Sequence, residues 1–216
     1  MFPGFGTLVN AGLIVVGSLL GIKAQQYIPY SIKEGTINAI GLFTLMLGIK
    51  LLYENRPEML KVFFLLIVGS IFGHLIKLEE RLESLMRSSE SIRGFMTASL
   101  LFTIGPMTLL GCILEATKGD SSLILFKAFM DGFSSVILAS SMGRGVVFSA
   151  LFVFVFQGAL TALAFYLGSF LSQSSMSNAL FIGGGLILLT SFKIFGFLDK
   201  LKLLNIYPSL LISLFV

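Results

Sequence analysis

The chain has 216 residues, of which 56% are hydrophobic and only 12% are charged, about half the charged share of a typical soluble domain. A water-soluble fold of this size cannot hide so much apolar surface, which excludes an ordinary soluble protein. The net charge of +4 is a small basic excess with no soluble domain to carry it, so we expect no nucleic-acid partner.

Long apolar runs with short polar gaps predict an all-α, polytopic transmembrane helix bundle of seven to eight membrane segments, some of them discontinuous. We expect the whole chain, 1–216, to form a single integral membrane domain. The last segment has only about 13 residues, too few to cross a bilayer core of about 30 Å as a straight helix. In chain order the segments are about 4–24, 36–53, 59–77, 94–114, 122–141, 146–171, 179–197 and 204–216.

A charged stretch at 77–93 separates the third segment from the fourth and is expected to form a short amphipathic helix with a solvated face. If all eight segments cross, most Lys and Arg residues outside the segments fall on the side of this stretch. That side is expected to be cytoplasmic, which places both termini outside the plasma (inner) membrane. The first residues carry no positive charge, so we expect a retained first helix and not a cleaved signal peptide.

The second and seventh segments share a pattern. Each follows an Asn-Ala pair, and the spacing from glycine to lysine is the same in both, from Gly41 to Lys50 and from Gly184 to Lys193. Five crossings apart, they run in opposite directions, as in the inverted repeats of transporters. Chance similarity between two apolar segments is the alternative.

The fifth segment carries two ionisable residues, Lys127 and Asp131, four positions apart on one helical face. Ionisable groups are costly in hydrocarbon, so the pair indicates an ion or proton site with Asp131 as the central carboxylate and Lys127 as its charge partner. Asp120 and Ser134 lie near the same stripe. The alternative is a static buried pair that only fixes helix packing.

Gly105 and Pro106 interrupt the fourth segment, where proline removes a backbone donor and frees a carbonyl. In a membrane such a carbonyl must face protein or a wet cavity, and Thr103 and Thr108 offer hydroxyls beside it. We expect this break to meet the charge pair near mid-membrane if the two helices pack side by side. An outer loop bearing Glu115 is expected to follow the fourth segment.

Two glycine-rich stretches, at 4–7 and 183–185, are candidates for unwound helix in the same way. The alternative is that glycines serve close helix packing, as the spacing of Gly17 with Gly21 and of Gly69 with Gly73 indicates.

Three amides, Asn10, Asn38 and Gln157, lie at membrane depth and either line a pathway or hydrogen-bond across helices. His74 and Cys112 are the single histidine and cysteine, so the sequence predicts no metal site, no disulfide and no cofactor. No convincing set of catalytic Ser, His and Asp can be assembled, and we expect no enzyme.

The stretches GTLVNAGLIVVGSLLG, GDSSLILFKAFMDG and GGGLILL, with Pro208 near the end, resemble the uncharacterised bacterial inner-membrane family that includes YdfK and YqgA. The resemblance extends over essentially the whole chain. It implies a multi-pass plasma-membrane protein, described at most as a transport protein. The resemblance assigns no substrate, so it transfers no site residues.

We expect a secondary transporter or channel for a small ion or small polar solute, with the lipid bilayer as its surroundings and a homodimer permitted by glycine faces. The alternative is a non-transporting membrane scaffold or assembly protein. A wet cavity at Asp131 would favour transport, and a dry, fully paired charge pair would favour the scaffold. A membrane enzyme acting on lipid lacks a nucleophile–base pair. The expected site residues are Asp131, Lys127, Asn10, Gly105, Pro106, Thr108, Asp120 and Ser134.

Overall fold

The computed structural model describes residues 3–25, 27–85, 90–103, 105–168, 171–198 and 200–216. Every regular element within those ranges is helical. The helices are α1 Phe5–Lys23, α2 Tyr30–Glu54, α3 Met59–Ile76, α4 Leu78–Leu85, α5 Glu90–Thr103, α6 Pro106–Lys118, α7 Ser122–Met142, α8 Gly145–Leu167, α9 Gln173–Ile194, a 3-10 helix Leu203–Ile206 and α10 Pro208–Ser213.

Six of these helices, α1, α2, α3, α7, α8 and α9, are long and apolar enough to cross a membrane. The stretches Gly94–Thr103 and Pro106–Lys118 are bent by 53° relative to each other and make a seventh span if they are counted as one. The predicted bundle of membrane helices is confirmed. The lower predicted number, seven spans, is reached only if this broken helix crosses the membrane as one span. The last predicted segment forms the 3-10 helix and α10, both too short to cross.

The chain divides into two compact units. Unit 1 comprises Met1–Ile37 and Leu85–Gly168, and unit 2 comprises Asn38–Ser84 and Ser169–Val216. The expected single membrane domain stays a prediction.

In unit 1, α1 packs along α7 through small residues. A Cβ added at Gly17 would lie 2.3 Å from both the Gly132 carbonyl oxygen and the Ser135 Oγ, and one at Gly21 would lie 2.2 Å from a backbone oxygen of α7. The packing interpretation of this glycine pair is therefore correct. The core beside it consists of Ile14, Ala98, Phe102, Ala139, Val146, Ala150 and Val153.

In unit 2, α3 packs against the 3-10 helix and α10 as closely as α1 packs against α7 in unit 1. A Cβ at Gly69 would lie 2.3 Å from the Ser209 Cα, and one at Gly73 would lie 1.9 Å from the Asn205 carbonyl oxygen. Small residues thus bring backbones together in this unit too, as the spacing of the glycines predicts.

Neither glycine-rich stretch is unwound, and at 183–185 the packing interpretation is correct. Helix α9 runs without interruption through 183–185, because Gly184 is the point of contact with α2, where an added Cβ would lie 2.9 Å from the Leu51 Cβ. At 4–7, α1 begins at Phe5, and Gly4 with φ of 95° is its N-cap. In both places glycine supplies close approach or a left-handed cap, and not an open helix.

The charged stretch at 77–93 contains α4, so the predicted short helix is present in its first half, while residues 86–89 lie outside the described residues. Its expected solvated face is wrong at Glu79, which is buried. The Glu79 carboxylate accepts hydrogen bonds from Lys193 Nζ at 2.8 Å and from the Leu204 amide at 2.9 Å, and these contacts draw it inward.

Candidate functional site

Lys127 and Asp131 lie one turn apart near the middle of α7. Their side chains are 7% and 6% exposed, and the Lys127 ammonium donates to both carboxylate oxygens of Asp131. The predicted ion pair is therefore formed and buried, and each partner offsets the desolvation cost of the other.

The break between α5 and α6 supplies the second acceptor for Lys127. In a continuous helix the Phe102 carbonyl would accept from the amide four residues on, but that residue is Pro106, which has no N–H. Instead, Lys127 Nζ donates to the Phe102 oxygen at 3.0 Å, and Thr108 Oγ1 donates to it at 3.2 Å. The freed carbonyl and the charge pair meet, as the sequence predicts.

Asn10 of α1 joins the charge pair from the other side. It is fully buried, and its Nδ2 donates to Asp131 Oδ2 at 3.0 Å. The glycine face of α1 allows this approach, because it brings the α1 backbone against α7. One network thus contains Asn10, Lys127, Asp131 and Thr108, together with the carbonyl that Pro106 leaves free.

The remaining expected site residues contribute less. Gly105 caps α6, and a Cβ there would lie 3.9 Å from Lys127 Cε. Asp120 is exposed, and its Oδ1 accepts from the Ser122 amide at 2.9 Å, so it caps the start of α7. Ser134 is half-buried and makes no hydrogen bond to the pair in the described part of the chain. The structure therefore does not bring Asp120 or Ser134 into the network.

Glu115 is the residue whose place the sequence interpretation missed. It lies in the last turn of α6, not in a loop, and it is only 2% exposed. Its carboxylate accepts from the Gly6 amide at 2.7 Å, the Gly4 amide at 2.9 Å and the Ser121 hydroxyl at 2.9 Å. It thus satisfies amides that the start of α1 leaves unpaired, where the helix dipole favours a negative charge. The sequence did contain a signal for this position, because Glu115 is an acidic residue within an apolar stretch that favours helix.

Several buried polar atoms on α1 and α8 have no partner among the described residues. On α1 these atoms are Thr7 Oγ1, Asn10 Oδ1 and Ser18 Oγ, and on α8 they are both amide atoms of Gln157. Thr161 Oγ1 of α8 is buried too, with the Cys112 thiol as its neighbour. More than nine in ten buried polar groups are normally hydrogen-bonded, and an unpaired one is costlier still in a bilayer. Such side chains are candidates for binding water or a ligand.

An open cavity of about 490 Å³ lies between the start of α1 and the second half of α8. Thr7 and Thr161 line it, together with the exposed side chains of Leu8, Phe165 and Tyr166. Two turns deeper, Ile14 and Val153 belong to the same core cluster. Asn10 and Gln157 each lie about one helical turn from the cavity-lining threonine of their own helix, between it and the core layer. We call the four side chains Thr7, Thr161, Asn10 and Gln157 the polar line; its two threonines line the cavity, and Asn10 donates to Asp131.

Other residues singled out by sequence have peripheral places. Asn38 is exposed on α2, and His74 is exposed, with its ring Nδ1 2.8 Å from the Ser70 carbonyl oxygen. Cys112 is buried in α6. In the described ranges no group of three or more His, Cys, Asp or Glu residues is placed to hold a metal ion.

Comparison with known proteins gives a consistent assignment. The family model described as "Protein of unknown function (DUF554)" matches residues 5–216. The uncharacterized membrane protein YdfK of Bacillus subtilis (strain 168) is 33% identical over 214 residues, covering 96% of this chain and 93% of YdfK. The uncharacterized protein YqgA of Escherichia coli (strain K12) is 26% identical over 225 residues, covering 97% and 94%.

No solved structure matches the chain. The family match extends over nearly all of the sequence, and the helices long enough to span a bilayer agree with the name of the Bacillus relative. The chain is a membrane protein and belongs to the DUF554 family.

Proposed function

We propose that this protein is a small secondary transporter or channel that passes a small ion or small polar solute along the polar line. Gln157 carries the proposal: it is fully buried, and neither atom of its amide has a protein partner. Burying an unpaired amide costs on the order of 1–3 kcal/mol in proteins. A residue that only packed helices would have no reason to bear that cost.

The charge pair serves as the inner end of this path. Asn10 connects the two parts, because its Nδ2 holds Asp131 while its Oδ1 has no protein partner. A ligand that binds the Asn10 oxygen is thereby coupled to the position of Asp131. Lys127 stays fixed meanwhile through its second acceptor, the Phe102 oxygen.

A membrane scaffold is the second candidate, and one observation favours it. Lys127 and Asp131 are buried and mutually paired, and neither lines the cavity, which is the dry arrangement expected of a scaffold. A scaffold would also depend on close helix packing, such as the contact of Gly17 and Gly21 of α1 with the α7 backbone. The two candidates differ at Gln157, whose unpaired amide a scaffold leaves without a purpose.

The test is a flux screen of small ions and polar solutes with the purified protein in liposomes. We expect flux above that of empty liposomes, and we expect Gln157→Leu and Asp131→Asn to abolish it. Asn38→Leu is the matched control, because that amide is exposed on α2 and should leave flux unchanged. Flux that survives in Gln157→Leu would contradict the proposed path, and no flux for any solute would favour the scaffold.

The proposal includes a plasma (inner) membrane location with the N-terminus outside, no enzymatic activity and a homodimer. The excess of Lys and Arg on one side of the predicted spans supports this orientation. Both termini lie outside only with an even number of crossings; with seven spans, the C-terminus lies on the cytoplasmic side. A tag at the N-terminus should be cleaved by protease added to intact spheroplasts, and a tag at the C-terminus should be protected if seven spans cross. Protection of the N-terminal tag would reverse the orientation.

A further inference from the structure

We infer that the ligand of the polar line is a monovalent cation. This inference rests on the proposed function and specifies what the path accepts. It starts from the atoms of the polar line: Thr7 Oγ1, Asn10 Oδ1 and both amide atoms of Gln157 lack partners among the described residues, and Thr161 Oγ1 has the Cys112 thiol, a weak hydrogen-bonding group, as its neighbour.

The orientation of the Asn10 amide is fixed by chemistry. A carboxylate accepts hydrogen bonds, so the atom of Asn10 that faces Asp131 must be the nitrogen, and the oxygen is left for another partner. The two threonine hydroxyls line the cavity, and Gln157 lies one helical turn deeper than Thr161. A ligand that enters the cavity therefore meets a succession of neutral oxygens.

The buried charges of unit 1 favour a positive ligand. Lys127 and Asp131 cancel each other, whereas the partners of Glu115 are two backbone amides and a hydroxyl, none of them a basic side chain. The start of α1 offsets only about half a charge. Among the buried side chains that the structure describes in this unit, one negative charge is thus incompletely compensated, beside Gly4 at the cavity wall.

The same facts exclude other ligand classes. An anion would find donors in the threonine hydroxyls and the Gln157 Nε2, but it would meet a net negative field. A divalent cation usually requires several carboxylates or a histidine–cysteine cluster, and the described residues contain no such group. A monovalent cation can exchange its water shell for neutral carbonyl and hydroxyl oxygens.

The experiment measures thermal unfolding of the purified full chain in NaCl, KCl or NH4Cl, with choline chloride as the reference at equal ionic strength. We expect at least one of these cations to raise the unfolding midpoint saturably above that in choline, because a ligand of the folded state stabilises it. CaCl2 should give no larger shift. In Gln157→Leu and in Thr161→Val the apparent affinity should fall about tenfold or more, as expected for the loss of one good ligand.

Asn38→Leu is again the control and should keep the shift. Equal midpoints in all salts, a larger shift with calcium, or an unchanged shift in the two variants would each overturn the inference. If Gln157→Leu does not fold, Thr161→Val decides. Swelling of proteoliposomes in urea or glycerol separates the two proposals. If the proteoliposomes swell but no cation raises the unfolding midpoint, the cation inference is refuted and the transport proposal stands. If there is no swelling and no shift of the midpoint, both proposals are refuted.

Discussion

Each unit contains a buried carboxylate bonded to a lysine, yet the two pairs lie in different places. In unit 1, Lys127 and Asp131 face each other in the middle of α7. In unit 2, Glu79 begins α4 and Lys193 ends α9, with 2.8 Å between Oε1 and Nζ and with the lysine side chain 36% exposed. One pair is enclosed within a span, and the other lies at the ends of its helices.

The surroundings of the two pairs differ more than the pairs themselves. The second oxygen of Glu79 accepts from the Leu204 amide, and Asn205 Oδ1 accepts from the Glu79 amide at 2.9 Å, so this cluster joins helix ends by satisfied bonds. In unit 1, by contrast, Asn10, which bonds Asp131, and Gln157 of α8 keep unpaired amide atoms. An ion pair inside a membrane protein is thus a weak sign of function, and unpaired amides beside it are a stronger one.

The largest effect should follow from breaking the enclosed pair. Asp131→Asn leaves Lys127 buried without its counter-ion and should lower the free energy of unfolding by about 3–5 kcal/mol. Glu79→Gln should cost clearly less, because Lys193 can turn to water. Chemical unfolding of both variants in one detergent measures the difference.

The double variant Lys127→Met with Asp131→Leu sharpens this comparison. Replacing both charges with apolar groups removes their desolvation cost and should restore most of the lost stability. An Asp131→Asn variant as stable as Glu79→Gln would contradict the enclosed environment described for the pair.

The next effect concerns Glu115 of α6, whose carboxylate bonds the amides at the start of α1. Glu115→Gln weakens charge-assisted bonds to two backbone amides, and we expect a loss of about 1.5–3 kcal/mol. Hydrogen exchange at the amides of Gly4 and Gly6 should accelerate before the rest of α1. Glu54→Gln is a suitable control, because its pair with Lys50 is exposed and worth at most about 1 kcal/mol.

A smaller loss is expected at the helix seam of unit 1. Gly17→Ala places a methyl group against the Gly132 carbonyl and should destabilise the fold by about 1–3 kcal/mol. Gly12→Ala, on the same helix, meets nothing within 4 Å and should be neutral or stabilising by up to about 1 kcal/mol. Equal melting temperatures for the two variants would show that α1 and α7 are not in close contact at Gly17.

The main elements of unit 1 could be predicted because local chemistry determines them. The four-residue spacing of Lys127 and Asp131 puts both on one face of any helix. Pro106 must free a carbonyl four residues earlier, and a buried lysine is a natural donor to it. Helix bounds follow the apolar runs closely, except that α2 begins at Tyr30 and α9 at Gln173, where polar residues of the first turn hid their starts.

What the sequence left open depends on neighbours from distant segments. Whether Glu115 is solvated or caps α1 is decided by the approach of Gly4 and Gly6, which are more than one hundred residues away. Gln157 has an apolar context on either side, and only the fold shows that its amide is buried without a partner. Glycine runs such as 183–185 are ambiguous for the same reason, because open helix and close packing need the same residue.

The most direct measurement compares Gln157→Leu with Asn178→Leu for stability and flux. The Oδ1 of Asn178 has a structural partner, since it accepts from the Glu58 amide at 3.1 Å, whereas its Nδ2 is buried without a partner among the described residues. Loss of the bonded end should cost about 1 kcal/mol. Gln157→Leu should instead keep or raise stability, by up to about 1–2 kcal/mol, while abolishing flux. A Gln157→Leu protein that is destabilised and still passes the solute would contradict the account.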